Sequence, residues 1–346
     1  MAKANTRTRR QYGKDDPNIV SYRDPKNPLT VAKAQTMLAK VERSRETRFI
    51  KDPSGLSVRN GSLYLGKSTC LGQLTPHAVF GIIHHTKAKT GVRNPNEKLL
   101  TAGLRSRDWD DMQVQVRMLK ETKTITSVMT DRYQHLPYDE LLTGFPKDFI
   151  VPRLQVDAQY VQVHVCEPTT LDKRDPMYLG ARVLGSDVGL CRATLLDEIM
   201  RLICTNGLIR SQLTVFFKRY HLGTEAGLHV CDEWKQKVRE FLSYIVTERA
   251  AERKRIANAK SERVLPDVAT DELQKLGLGT ARIEYALAYA EREFGKPLSR
   301  WGVAQGITSS SQFQRGDARL LTSIAVANDV DSIATRFLTK TMDEAA

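Results

Sequence analysis

The sequence contains no C-x-x-C pair. Its five cysteines, at 70, 166, 191, 204 and 231, are odd in number and scattered, so neither a disulfide framework nor a zinc ribbon is signalled and the thiols read as reduced. Long apolar runs are also missing, none approaching the ~18 residues of a membrane span. The first residues carry Lys3, Arg7, Arg9, Arg10 and Lys14 with no apolar stretch behind them, which reads as no secretory leader and a cytoplasmic protein. There is no internal repeat and no complete catalytic constellation, so a binding protein without a cofactor is expected in preference to an enzyme. Acidic charge is in deficit: 53 lysines and arginines face 40 aspartates and glutamates, a net +13. That surplus suits a polyanion, nucleic acid or a lipid surface. With 346 residues, 41% of them apolar and 27% charged, the chain has globular composition and the length for two domains or one elaborated core.

Residues 1–28 are polar and include Pro17, Pro25 and Pro28, the composition of a disordered basic arm. Behind Thr30, the spacing of Val31, Ala34, Leu38 and Val41 predicts a capped helix of about four turns. Two short alternating runs over 56–65 meet at Asn60-Gly61, a pair that tolerates the positive φ angles of a type I′ hairpin. Thr75-Pro76 opens a second helix with Val79, Ile82, Ile83 and Thr86 inward. Between 110 and 190 the apolar period drops to two, as in Val161, Val163 and Val165, and predicts an antiparallel sheet. Residues 191–203 read as a helix with Leu195, Ile199 and Leu202 inward, followed by Asn206-Gly207 as a helix end or hairpin turn. From about 230, Trp234, Val238, Phe241, Leu242, Ile245 and Val246 form one face of a long helix. Its far end, over 249–263, is a charge run expected to be solvated, and Pro266 marks a boundary before shorter helices. The expected fold is α+β: a central antiparallel sheet flanked by helices, divided into the arm (1–28), an α+β core (29–228) and a helical C-terminal region (229–346).

Gly61-Ser-Leu-Tyr-Leu-Gly66-Lys67-Ser68 satisfies the G-x-x-x-x-G-K-[ST] pattern of a phosphate cradle. Its context opposes that reading, because the variable positions form a strand pattern and Gly61 already belongs to the Asn-Gly turn. His84 and His85 are adjacent on a helix and point about 100° apart, unsuited to one metal. His229 and Cys231 alternate as on a strand, yet two ligands are too few. Asp108, Asp110 and Asp111 around Trp109 read as a helix start or solvated turn before a nuclease site. Phe216-Phe217-Lys218-Arg219-Tyr220-His221 interleaves rings with cations, the pairing that stacks bases and neutralises phosphates. Lys87, Lys89, Arg93, Arg105 and Arg107 gather nearby in sequence, around a Gly/Pro loop.

Three segments in order, Thr130-Asp131-Arg132-Tyr133, Gly185-Ser186-Asp187-Val188-Gly189 and Arg201-Leu-Ile-Cys204-Thr205-Asn206-Gly207-Leu-Ile, resemble the phage/plasmid-like proteins grouped as domain of unknown function 932. Ser299-Arg300-Trp301-Gly302-Val303-Ala304 with Ile307-Thr308 is similar to that family's C-terminal helical signature. Where relatives carry Asn-Ser-Glu-x-Gly, this chain keeps the carboxylate and lacks the Asn. The resemblance implies a phage or mobile-element origin. The family implies no agreed activity; by analogy alone, the strand-rich centre, helical flanks and basic charge are similar to those of Rad52-like phage single-strand annealing proteins. The motif residues also have structural readings: Asp131 paired with Arg132 or Arg201, Ser186 and Asp187 turning a strand, Asn206-Gly207 supplying positive φ.

The expectation is a phage-encoded single-stranded DNA-binding protein, with strand annealing in recombination or replication as its further step and RNA left open as a ligand. Lys87, Lys89, Arg93, Arg105, Arg107, Arg132, Arg210, Lys218 and Arg219 would track phosphates. Phe217 or Tyr220 would stack bases within a homo-oligomer that lengthens the groove. The alternatives are a nucleotide-using enzyme built on Gly66, Lys67 and Ser68, and a structural or regulatory phage protein that meets an acidic protein partner.

Overall fold

The computed structural model describes residues 20–24, 27–85, 96–105, 113–131, 133–156, 160–172, 176–186, 192–201, 206–209, 215–219, 230–310, 329–330 and 332–338. In chain order, β1 (Val20–Arg23) and β2 (Leu29–Thr30) precede α1 (Val31–Arg43) and β3 (Arg45–Ile50). A meander of β4 (Leu56–Arg59), β5 (Ser62–Leu65) and β6 (Thr69–Leu74) leads to α2 (Pro76–His85) and α3 (Glu97–Leu104). Next come β7 (Val114–Leu119), β8 (Thr124–Thr130), β9 (Ile150–Val156), β10 (Val161–Asp172), β11 (Met177–Gly185), β12 (Ala193–Arg201), β13 (Asn206–Ile209) and β14 (Val215–Arg219). The helices α4 (Val230–Ser261), α5 (Pro266–Lys275), α6 (Thr280–Phe294) and α7 (Arg300–Ser310) follow. The fold is α+β, as expected.

Local chemistry explains the elements the sequence announced. Thr30 caps α1 by accepting from the Lys33 amide at 3.3 Å, and the predicted stripe of Val31, Ala34, Leu38 and Val41 is buried. Asn60 and Gly61 take φ of 49° and 69° and turn β4 into β5. The Thr75 hydroxyl accepts from the Ala78 amide at the start of α2.

The strands form two sheets where one was expected. One has eight strands in the order β1-β9-β10-β11-β12-β13, with β2 on β9 and β14 on β12, all antiparallel. The other has six, ordered β3-β7-β8-β6-β5-β4, with β6 and β8 parallel. Alternation marks each strand but carries no register between distant ones. The N-terminal arm is likewise shorter than expected, since Val20–Arg23 pairs with Val156–Arg153 on β9.

The helix expected over 191–203 is a correction: Ala193–Arg201 is β12, antiparallel to β11. Leu195 and Ile199 are four apart, a spacing that satisfies the helical period and the strand period alike. The residue between them on the strand, Asp197, is buried, and its charge disguised a strand covered on both faces. Asn206-Gly207 opens β13 instead of turning the chain, with Arg201 opposite Asn206.

One face of the eight-stranded sheet, through Val161, Val163, Val165, Ala181, Val183 and Leu195, packs on α1 and the first half of α4. The six-stranded sheet packs on α2 and α3. A third core joins α5–α7 and the end of α4 to Met177, Leu179 and Ile199. Because α4 enters the first core with Trp234, Val238, Phe241 and Ile245 and the third with Ile256 and Ala259, the boundary drawn at 229 divides no core. Val246, expected inside, is 61% exposed. The charge run of 249–263 is only partly solvated: Arg249 grips buried Glu167 through both oxygens, and Glu252 is buried with Arg255 on it.

Candidate nucleic-acid interface

Of the expected phosphate contacts, Lys87, Lys89, Arg93, Arg107, Arg132 and Arg210 lie outside the described residues, as do Tyr220, His229 and the Asp108–Asp111 cluster. The backbones of Phe217, Lys218 and Arg219 lie in β14, opposite Leu195, Thr194 and Ala193. Arg105 is exposed at the end of α3. Its Nε donates to the Leu56 carbonyl at 3.0 Å, beside Thr101, whose hydroxyl accepts from the Val58 amide at 2.9 Å. These contacts cap the free edge of β4. Cys231 stands on α4, not on a strand.

Gly66, Lys67 and Ser68 form the turn between β5 and β6, and a strand follows where a phosphate cradle needs a helix. The Gly66 amide donates to the Gly55 carbonyl at 2.9 Å, and Arg59 Nη2 reaches the Lys67 carbonyl at 3.0 Å. An amide that should face phosphate is spent inside a meander, so the match to the motif is a coincidence of letters. Among the described residues, no three His, Cys, Asp or Glu side chains cluster to hold a metal.

The second face of the eight-stranded sheet carries the chemistry that sequence reasoning passed over. Residues between the apolar positions of β10 should be solvated if that face were open, yet Gln162 is 6% exposed and His164 1%. His164 Nδ1 lies 2.7 Å from Glu198 Oε1, and Arg182 Nε donates to Glu198 Oε2 at 3.1 Å. Gln162 Nε2 sits 2.8 Å from His164 Nε2. Gln162 therefore donates to Nε2 and the imidazole donates from Nδ1, a tautomer fixed by its partners. Burial holds His164 neutral, its pKa pushed down to about 4. Burial pushes Glu198 up, but His164 and Arg182 more than offset it and hold the carboxyl below its ordinary value. With Nε2 occupied, this imidazole is a positioned link and not a free base.

Register extends the cluster across the sheet. Arg23 on β1 lies opposite Arg153 on β9, Arg153 opposite His164, and His164 opposite Arg182. Four strands thus place three arginines and a histidine in one row, while Glu198 is engaged by the two inner members.

A second basic feature runs along α4. Lys235, Arg239, Leu242, Val246, Arg249, Arg253 and Lys260 follow by steps of three, four or seven and share one flank of this 32-residue helix. Apart from Asp232 in the first turn and Glu252 on the buried face, the acids Glu233, Glu240 and Glu248 fall on the opposite flank, with Lys237 and Arg255 among them and Lys254 between the two flanks. Lys235 meets Glu140 at 3.4 Å and Arg249 meets Glu167. Arg239 and Arg253 are exposed, and Arg253 Nη2 donates to the Thr170 carbonyl at 3.3 Å.

No family model, no curated protein and no solved structure matches this chain. The segments that carried the resemblance are partly joined in space: Tyr133 Oη donates to the Ser186 carbonyl at 2.9 Å. Asp131 Oδ2 accepts from the Gln113 amide at 3.2 Å, a strand-end contact. Among the described residues, no helix is long and apolar enough to cross a membrane.

Proposed function

We propose that the protein binds single-stranded nucleic acid, single-stranded DNA foremost, as a phage-type recombination or replication factor that anneals strands within a homo-oligomer. The observation that carries this reading is the cationic flank of α4, a helix about 48 Å long at 1.5 Å per residue, in a chain whose net charge is +13. A cationic strip of about 38 Å, from Lys235 to Lys260 at 1.5 Å per residue, matches a flexible polyphosphate, whose binding is driven by release of condensed counterions. The exposed apolar Val246 on the same flank offers a neutral contact to a base. The Rad52-like analogy points the same way, and the resemblance to domain of unknown function 932 bears only on the phage or mobile-element origin.

The test is a gel-shift series with oligothymidylate from low to moderate salt. Affinity should fall steeply, and the double variant Arg239→Ala/Arg253→Ala should lower the slope of log affinity on log salt by about 1.4, at ~0.7 per phosphate contact for a single strand. A flat salt response removes the reading. A chain that assembles into oligomers yet ignores single strands, duplex and RNA alike would instead be a structural protein with an acidic protein partner.

A further inference from the structure

We propose that the cross-strand row Arg23–Arg153–His164–Arg182 is a phosphate-binding site that opens at the β1 edge of the eight-stranded sheet. Directly opposed like charges destabilise a sheet, and here Arg23 and Arg153 oppose one another on β1 and β9. Glu198, the carboxylate within the cluster, already takes His164 and Arg182. Among the described residues Arg153 has no hydrogen-bond or ion-pair partner, so a half-buried fork of five N–H donors lacks an acceptor there. Burial, then Arg182 and Arg23, push its pKa below the ordinary arginine value, against the opposing pull of Glu198.

The shape of the row fixes how an anion would arrive. Arg23 is exposed, Arg153 intermediate, and His164 and Arg182 are 1% and 4% exposed. Solvent therefore reaches the row from β1, and neutral His164 with Gln162 closes its inner end. An anion entering there meets Arg153 first, flanked by Arg23, with Gln155 on the next row of the same face. Planar guanidinium forks on two adjacent strands favour a tetrahedral oxyanion that can take paired hydrogen bonds, as phosphate does. The group could be a free phosphate or one phosphodiester of a strand laid along β1. The second source rests on the function proposed above, and the first does not.

The experiment uses the full chain, with inorganic phosphate and oligothymidylate titrated separately into wild type, Arg153→Gln and Arg153→Lys. Without ligand, Arg153→Gln should melt at or above the wild-type temperature, because an opposed charge has gone. That control separates loss of the site from loss of the fold. Phosphate should raise the wild-type melting temperature. Affinity for both ligands should weaken about tenfold or more in Arg153→Gln, the loss expected for a charge-assisted hydrogen bond. Arg153→Lys, which keeps charge and loses the fork, should fall between. Phosphate binding lost in Arg153→Gln, with no oligothymidylate binding by any form, would uphold the site and end the nucleic-acid reading. Oligothymidylate binding with equal affinity in all three forms would overturn the site and leave that reading standing. If neither ligand binds wild type, both fall.

Discussion

Tyr133 donates its hydroxyl hydrogen to the Ser186 carbonyl across 2.9 Å, tying the segment after β8 of the six-stranded sheet to the end of β11 in the eight-stranded one. Both residues are buried, so the bond is a tether between sheets sheltered from water. Tyr133→Phe keeps the ring and strips the carbonyl of this donor. The expected cost is about 1–2 kcal/mol, read as a lower urea midpoint at unchanged slope. An unmoved midpoint would show that the two sheets do not depend on this contact.

Acid should loosen the second face of the eight-stranded sheet. His164 is faced by Glu198 and Arg182, with Arg153 opposite, and its folded pKa of about 4 lies below the ordinary 6.5. The unfolded chain therefore binds the extra proton first. Stability is fully present above pH 6.5 and is lost as the pH falls from there toward 4, by about 3 kcal/mol in all. Glu198, held below its ordinary value, extends the loss at still lower pH. Urea unfolding at stepped pH measures this, and His164→Gln should flatten the upper part of the curve. A wild-type profile already flat over that interval would mean the imidazole is not buried as a neutral group.

Much of this architecture can be read from residues that act locally. Thr30 announces α1, Asn60-Gly61 the hairpin and Thr75-Pro76 the start of α2, because a cap, a positive φ and a missing amide each work within a few positions. The candidate site is different in kind. Arg23, Arg153 and Arg182 become neighbours only through strand register, and no spacing along the chain encodes which strands pair. Two signals were legible nonetheless. Gln162 and His164 alternate with valines on what proves a doubly covered strand, and Lys235, Arg239, Arg249, Arg253 and Lys260 of α4 follow at steps of four, ten, four and seven. The pairing of Leu195 with Ile199 misled, being in phase with both periods.

Arg300 should prove a main support of the helical region. It is buried; Nε donates to Glu262 at 2.7 Å, and Nη1 donates to Glu272 at 2.9 Å and to the Phe337 carbonyl at 2.7 Å. Burial pushes its pKa down, but Glu272 and Glu262 outweigh this and leave it raised. Removing one partner of a buried ionic group strands the others, so Arg300→Met is expected to cost about 3 kcal/mol, the low end of the range. Both glutamates keep some solvent access, which limits the penalty. Limited proteolysis should then cut the helical region sooner, and thermal unfolding should begin earlier. A variant as resistant as wild type would show that the apolar packing around Trp301 suffices alone.

The crossing of α6 and α7 makes a sharper prediction, because two glycines on one helix should respond differently to the same methyl group. All of α7 is buried. A Cβ at Gly306 would lie 2.2 Å from the Ala286 carbonyl oxygen, a backbone atom of α6 that cannot swing aside. At Gly302 the nearest atoms are Phe294 Cδ2 and Ser299 Oγ, both at 3.2 Å and both on side chains. Alanine gains about 1 kcal/mol of helix propensity over glycine at either site. At Gly306 that gain is overwhelmed by forcing the helices apart, an overpacking of about 1–3 kcal/mol or more. Gly306→Ala should therefore lower the melting temperature clearly, while Gly302→Ala, where the phenyl ring can give by a few tenths of an ångström, should leave it close to wild type. Equal effects at the two positions would mean that α6 and α7 cross with more room than the Gly306 contact allows.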